Sequence, residues 1–379
     1  MRRTQLAPLP IVLLFALTVT GGCGTDSARN AEGDVRPEPV AVTPDLTVGV
    51  MDGDAPYMFG RIGGVVADES GRIIVADTQG DVVRAYDAAG TYLFDIATGG
   101  EGPGEVSSPC CPAIGPDGDL WIRDDGNRRY TRYQVDEAGA TSVGQVSMEH
   151  FAFGRWAATT FDADGHLIDV GTARGEEGFN PVRMHRSLDN ETVHEQPMPA
   201  APDGRIPTHE VSIEGGIAFI PQPHGPRRVD AHARNGDWAY TITDQYEVVR
   251  FNADGDTLRV LSRSVDGPTL TDDEYQAAEA QLRRQTERFG IQPDALSFDI
   301  PARKPPLQRI FFDADSRLWV QRTTEAGAPN EADVYDTDGT LVQVVQWPRE
   351  INLHMGQITD ESLYGIASSD VPQVIRMRW

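Results

Sequence analysis

The sequence is short of lysine, of cysteine and of long apolar runs. Lys304 is its one lysine, set against 58 Asp and Glu, and the formal charge is −25. Without the first 22 residues, which hold Arg2 and Arg3, that charge becomes −27. A surface of this sign repels nucleic-acid phosphates and anionic lipid headgroups, so nucleic acid is set aside as a partner. The three cysteines are Cys23, Cys110 and Cys111, and none belongs to a Cys-x-x-Cys pair, which argues against dithiol redox chemistry. The apolar run Leu9–Val19 is too short to span a bilayer comfortably, and no other stretch is longer. The sequence has no Gly-x-Ser-x-Gly, no P-loop, no His-Glu-x-x-His and no Gly-x-Gly-x-x-Gly after a strand. The local signatures of serine hydrolases, NTPases, zincins and dinucleotide binders are therefore missing.

What is present begins with a targeting segment. Met1-Arg2-Arg3 is basic, Leu9–Val19 is apolar, and Thr20-Gly21-Gly22 are small residues just before Cys23. That arrangement resembles the bacterial lipobox, with Thr20 standing where leucine is usual. The resemblance implies a signal peptide over 1–22, lipidation at Cys23 and a membrane partner through the lipid. The alternative is a plain signal peptide cut nearby. Gly24 rather than Asp after the cysteine implies outer-membrane sorting if the cell is Gram-negative, so the expected location is the cell envelope. Residues 23–45 are polar and Pro-rich without hydrophobic periodicity, and they read as a flexible tether.

From residue 46 onward the chain repeats. A tight turn followed by an apolar strand recurs six times, and the turns end at Gly71, Gly118, Gly165, Gly236, Ser316 and Ser362. The steps between them are 47, 47, 71, 80 and 46 residues, so two units carry insertions. A second strand–turn pair follows each, as in VVRAYDAAG and EVVRFNADG. Asp-Gly and Ala-Gly pairs between alternating strands are hairpin turns, because glycine adopts positive φ without a steric penalty. Each unit is then four short antiparallel strands, which cannot bury both faces alone and must stack around an axis. The last unit ends at Trp379 after its third strand, and a spare strand, Asp45–Gly53, precedes the first unit. Donating it to the last unit closes the ring and removes an open edge. The expected fold is all-β, a six-bladed β-propeller over 46–379 with four-stranded blades and one helical insertion. That helix is expected over about 269–290. Thr271 and Glu274 form a capping box, Asp272 and Asp273 suit the first turn, Arg288 suits the last, and Gly290 ends it. Leu270, Tyr275, Ala278 and Leu282 fall near its buried face.

Gly63–Pro109 resembles an NHL repeat, through Val-Ala-Asp in its first strand, Ile-Val-Ala-Asp-Thr in its second, Tyr-Asp before the turn and Gly100–Glu105 leading onward. The chain as a whole is similar to the bacterial six-bladed β-propeller lipoproteins with NHL-like repeats. Some NHL-like enzymes are lyases that gather distant histidines around zinc over the channel, and calcium-dependent lactonases share the six-bladed plan. The resemblance thus implies an enzyme as the alternative to a binding module.

Candidate chemistry is sparse. Asp-x-Asp-Gly at 162–165 and 336–339, and in part at 313–316, lacks the Glu at position twelve of a calcium loop and reads as hairpin turns. No pair among the eight histidines has zinc spacing. His209, His224 and His354 precede inner strands and are placed to reach the channel mouth. Cys110 and Cys111 are adjacent, and either form a vicinal disulfide or pack as two reduced, small apolar residues. Arg123, Arg128, Arg129, Arg155, Arg174, Arg227 and Arg228 lie on segments assigned to channel-facing loops, with Trp156 as a stacking face. Such arginines grip carboxylate or phosphate, or else pair with Asp124, Asp125, Glu176 and Glu177. No catalytic residue, metal ligand or cofactor is assigned, and zinc or calcium over the channel stays an open alternative. The function expected is a binding or scaffold module engaging a protein, a glycan or a small anion over the channel. The alternatives are an NHL-like lyase or metal-dependent lactonase, and a structural partner of an outer-membrane complex.

Overall fold

The computed structural model describes residues 36–149, 158–175, 178–202, 204–213, 216–367 and 370–379. Cys23 and the segment 1–35 lie outside these. Six antiparallel blades stand around an axis. Their inner strands are Ile62–Ala67, Pro109–Ile114, Thr160–Phe161, Arg228–His232, Leu307–Phe312 and Ile351–Ile358, and those of blades 4, 5, 6, 1 and 2 touch in succession. In a four-stranded blade the fourth strand runs opposite to the first. Every blade-to-blade connection therefore emerges on one face of the disc, and every turn between first and second strands lies on the other.

The repeated turn has a common chemistry. In blade 1 Asp68 Oδ1 accepts the amides of Ser70 and Arg72, and Oδ2 accepts Arg72 Nε at 2.8 Å. In blade 5 Asp313 Oδ1 accepts the amides of Asp315 and Arg317, while Oδ2 accepts Arg317 Nε at 2.7 Å and Trp319 Nε1 at 2.9 Å. The residue closing the turn is left-handed: φ is 82° at Gly71, Gly118 and Gly165, and 60° at Ser316, which adopts it with a Cβ. Between blades the core is apolar and aromatic, with Trp121, Trp238, Trp319 and Trp347 fully buried. Trp238 and Phe251 stack at 4.2 Å between ring centroids.

The ring closes as the repeat requires. Thr43–Val48 is the fourth strand of blade 6, antiparallel to Gln373–Arg378. Arg376 forks onto both Asp45 oxygens and also donates to the Ala88 carbonyl. The ordered body starts earlier than the tether boundary at 45 allows. Pro39–Ala41 runs parallel to the outer strand Leu341–Trp347 of blade 5, widening that sheet to five strands, and Arg36 bonds Asp333 and Glu331. The reason is Val42, which is buried between these two blades, while Pro39 and Pro44 occupy positions at a sheet edge, where a missing N–H is tolerated.

The two insertions meet. The 71-residue step holds a separate hairpin, Thr208–Ile213 with Gly216–Pro221, and the 80-residue step holds the helix Asp272–Phe289. Val211 and Ile220 of the hairpin pack on Leu282 of the helix, with Phe289, Phe298 and Ile300 around them. Both insertions leave from blade-to-blade connections, so they share a face. The capping box is as expected: Thr271 Oγ1 accepts the Glu274 amide at 3.3 Å and Glu274 Oε2 accepts the Thr271 amide at 3.0 Å. Gly290 caps the far end at φ 66°. The buried face differs from expectation, running through Ala278, Leu282 and Thr286, whereas Tyr275 is 42% exposed. The hairpin covers the middle of the helix, and the first turn is held by an ion pair between Glu274 and Lys304.

Cys110 and Cys111 are disulfide-bonded to each other on the inner strand of blade 2, both buried, with Cys111 at φ 57°. Thr78 of blade 1 donates to the Pro109 carbonyl at 2.8 Å and Thr159 donates to the Cys111 carbonyl at 2.7 Å, clamping the loop from both sides. A Cβ at Gly64 would come within 2.5 Å of Pro112 Cδ, so glycine there is what lets the two blades close around the bonded pair. Under native conditions a thiol alkylator is expected to leave both cysteines unmodified, and to label them after unfolding only if a reductant is added. Labelling of the unfolded, unreduced chain would show two free thiols.

Candidate functional site

The central channel holds a cavity of about 410 Å³ walled by the inner strands of blades 4, 5 and 6. Its polar groups are Arg227, Arg228, Asp230, His232, Arg309 and His354, and its apolar wall includes Ile310, Phe311, Phe312, Leu353 and Ile358. Pro226 and the hairpin insertion before it deliver Arg227 to the start of blade 4, where its amide is fixed on Thr243 Oγ1 at 3.0 Å. Arg309 projects from a mostly apolar strand, Leu307–Phe312.

The charges in this cavity do not balance. Arg228 lies 3.7 Å from Asp230, bonds the Pro199 carbonyl and covers the Tyr240 ring at 5.0 Å. Asp230 is also 3.4 Å from His232 Nε2. The one carboxylate in the wall is thus already engaged. Among the described residues neither Arg227 nor Arg309 has an ion-pair or side-chain hydrogen-bond partner. Burial pushes the Arg309 guanidinium below its ordinary pKa, and the positive charge of Arg227 adds to the effect. Two guanidiniums lining one cavity, without a carboxylate of their own among the described residues, form a receptor for an anion, because a bidentate acceptor offsets their mutual repulsion.

The residues singled out from sequence divide. Arg227, Arg228 and His354 come together in this cavity. His209 does not: it pairs with Ile220 inside the insertion hairpin, because the long connection folds back on itself before entering blade 4. His224 is exposed beyond the cavity, within electrostatic reach of Glu274 and Lys304. Arg123 pairs with Asp125 at 2.7 Å and Arg129 with Asp124 at 3.0 Å, so these two are structural ion pairs. Arg155 and Trp156 lie outside the described residues, as do Glu176, Glu177 and the side chain of Arg174. Arg309, Asp230 and His232 were missed. The available signal was an arginine in the middle of the mostly apolar strand LQRIFF.

One group of metal-ligating atoms occurs among the described residues, and it is away from the channel cavity. Asp162, Asp164 and His166 bring one ligand atom each within 4.8 Å of one another in the first turn of blade 3. The stretch is also a hairpin turn as expected, with Asp162 Oδ1 accepting the amides of Asp164 and His166.

No protein-family model matches the sequence, and no curated protein matches it. Solved structures do. Virginiamycin B lyase from Staphylococcus aureus is 10% identical over 88% of this chain and 98% of its own, with a TM-score of 0.42. A provisionally named exported protein from Bacteroides fragilis is 10% identical over 89% of this chain and 94% of its own, with a TM-score of 0.49. A luciferin-regenerating enzyme is 14% identical over 85% and 92%, with a TM-score of 0.40. What the chain itself shows is a six-bladed β-propeller whose channel carries two arginines without carboxylate partners among the described residues.

Proposed function

We propose that this chain is an envelope lipoprotein, anchored through Cys23, whose propeller binds a small organic anion in the central channel. The observation that carries the reading is the pairing of Arg227 with Arg309 in a cavity whose one carboxylate is spent on Arg228 and His232. In a protein of net charge −25, where arginines such as Arg72 and Arg317 are answered by aspartate, such an imbalance serves a ligand. A cavity of about 410 Å³ falls in the usual small-molecule range. Its apolar wall favours an anionic group on a carbon skeleton over a bare inorganic ion. The enzyme alternative needs a metal-ligating group at the channel, and the group found among the described residues lies in the blade 3 turn.

The test uses the soluble fragment 24–379. Thermal shift and calorimetry would be run with phosphate, sulfate, acetate, benzoate and citrate as probes. A carboxylate is expected to raise Tm and to bind at least about tenfold more weakly to Arg309→Leu, about 1.4 kcal/mol. Without ligand, Arg309→Leu is expected to match or exceed the parent in Tm, because it removes a half-buried charge facing another of its own sign. If no probe binds, or binding is indifferent to Arg309, the channel reading is wrong. Anchoring is tested separately, by detergent-phase partition of the full chain in a bacterial host, expected to be lost in Cys23→Ser.

A further inference from the structure

In blades 1, 2, 4 and 5 the first turn carries a cation from its own blade. Asp68 pairs with Arg72, Asp117 and Asp119 with Arg132, Asp237 with Arg250, and Asp313 with Arg317. In blade 3 the residue aligned with Arg72 and Arg317 is His166. Its Nδ1 is 3.0 Å from Asp162 Oδ2, and a second imidazole, His185 Nδ1, approaches the same oxygen at 2.7 Å. Arg183 is within electrostatic reach of Asp162, but its terminal nitrogens are given to Gln196 at 2.7 Å and the Gly236 carbonyl at 2.8 Å. Two carboxylates and an imidazole thus converge where sister turns place a guanidinium.

We propose that Asp162, Asp164 and His166 bind a divalent transition ion of the zinc class, which takes the place of the arginine in this turn. Two carboxylate oxygens and one imidazole nitrogen are a ligand set suited to zinc, with water completing the shell. Calcium would ask for more oxygens. His185 acts as a positioning residue. It is 5% exposed and bonds Asp162 Oδ2 at 2.7 Å, the support that metal-bound carboxylates commonly receive. The site lies on the face of the disc opposite the two insertions, so it is separate from the channel cavity and does not rest on the anion reading.

The sister turns supply the control. His166→Arg rewrites blade 3 as blades 1 and 5 are written, so it is expected to fold with an unchanged Tm and to lose the metal. Asp164→Asn alters an exposed side chain and is expected to do the same. The experiment is calorimetric titration of zinc alone into the chelator-treated, untagged fragment 24–379 and into both variants. The expected result is one equivalent bound, with affinity falling about 10- to 100-fold in each variant. No binding overturns the proposal. So does binding that survives both substitutions, and so does binding of calcium in preference to zinc.

Discussion

Removal of residues 36–48 is expected to lower the melting temperature by roughly 10 °C and to make the protein associate. That segment supplies the fourth strand of blade 6 and a fifth to blade 5, so its loss breaks the ring between them. It buries Val42 and Val48, each worth about 1.5–3 kcal/mol, and removes the fork between Arg376 and Asp45. A total of about 3–6 kcal/mol translates to some 2–4 °C per kcal/mol in a domain of this size class. Two strand edges, Gln373–Arg378 and Leu341–Trp347, would then be bare and ready to pair with another chain. Calorimetry with light scattering reads both effects. An unchanged Tm and a monomeric product would mean that blade 6 closes without its donated strand. Asp45→Asn isolates the ionic part. Arg376 holds the Asp45 carboxyl below its usual range, so its contribution is present above the unfolded value and is lost as pH falls through the folded one. Parent and Asp45→Asn should therefore differ at neutral pH and converge in acid.

The second large effect is expected at Asp313. Its carboxylate is fully buried and accepts two backbone amides, Arg317 Nε and Trp319 Nε1. Asp313→Ala leaves the buried Trp319 donor without its acceptor and Arg317 without its closest countercharge, a loss of about 3–5 kcal/mol by the measure of broken buried pairs. Asp313→Asn should be nearly as harmful, because an amide nitrogen would meet two donors. Two residues on, the result reverses. Asp360 beside Asp315 holds that exposed carboxyl above its ordinary pKa, so Asp315→Asn is expected to be neutral or mildly stabilising. Urea unfolding of the three variants checks the pattern. Equal midpoints for Asp313→Ala and the parent would show that the turn aspartates are ornamental.

Much of the fold was legible because its signals are local. The left-handed turn positions Gly71, Gly118, Gly165 and Gly236 recur in sequence because each hairpin needs one. The capping box at Thr271 and Glu274 involves residues three apart, and the structure forms it. Tyr275 was placed on the buried face because periodicity describes a helix without its neighbour, and the neighbour here is a hairpin from the other insertion. The site was less legible. Arg227 and Arg228 stood out as members of an arginine cluster on loops assigned to the channel, whereas Arg309 gains its meaning only from sharing a cavity with Arg227 of the adjacent blade.

By itself, then, the sequence determined the repeat, the six blades, the donated closing strand, the helix with its caps and the acidic surface. Each of these depends on residues close in the chain or on composition. Tertiary structure decided which polar groups share a space. It spent Asp230 on Arg228 and His232, left Arg227 and Arg309 facing one cavity, turned His209 into a hairpin residue, and set two imidazoles on one carboxylate in blade 3. The physical reason is that a charge is read against its neighbours. In a ring of blades those neighbours come from different units, at separations that no local pattern encodes.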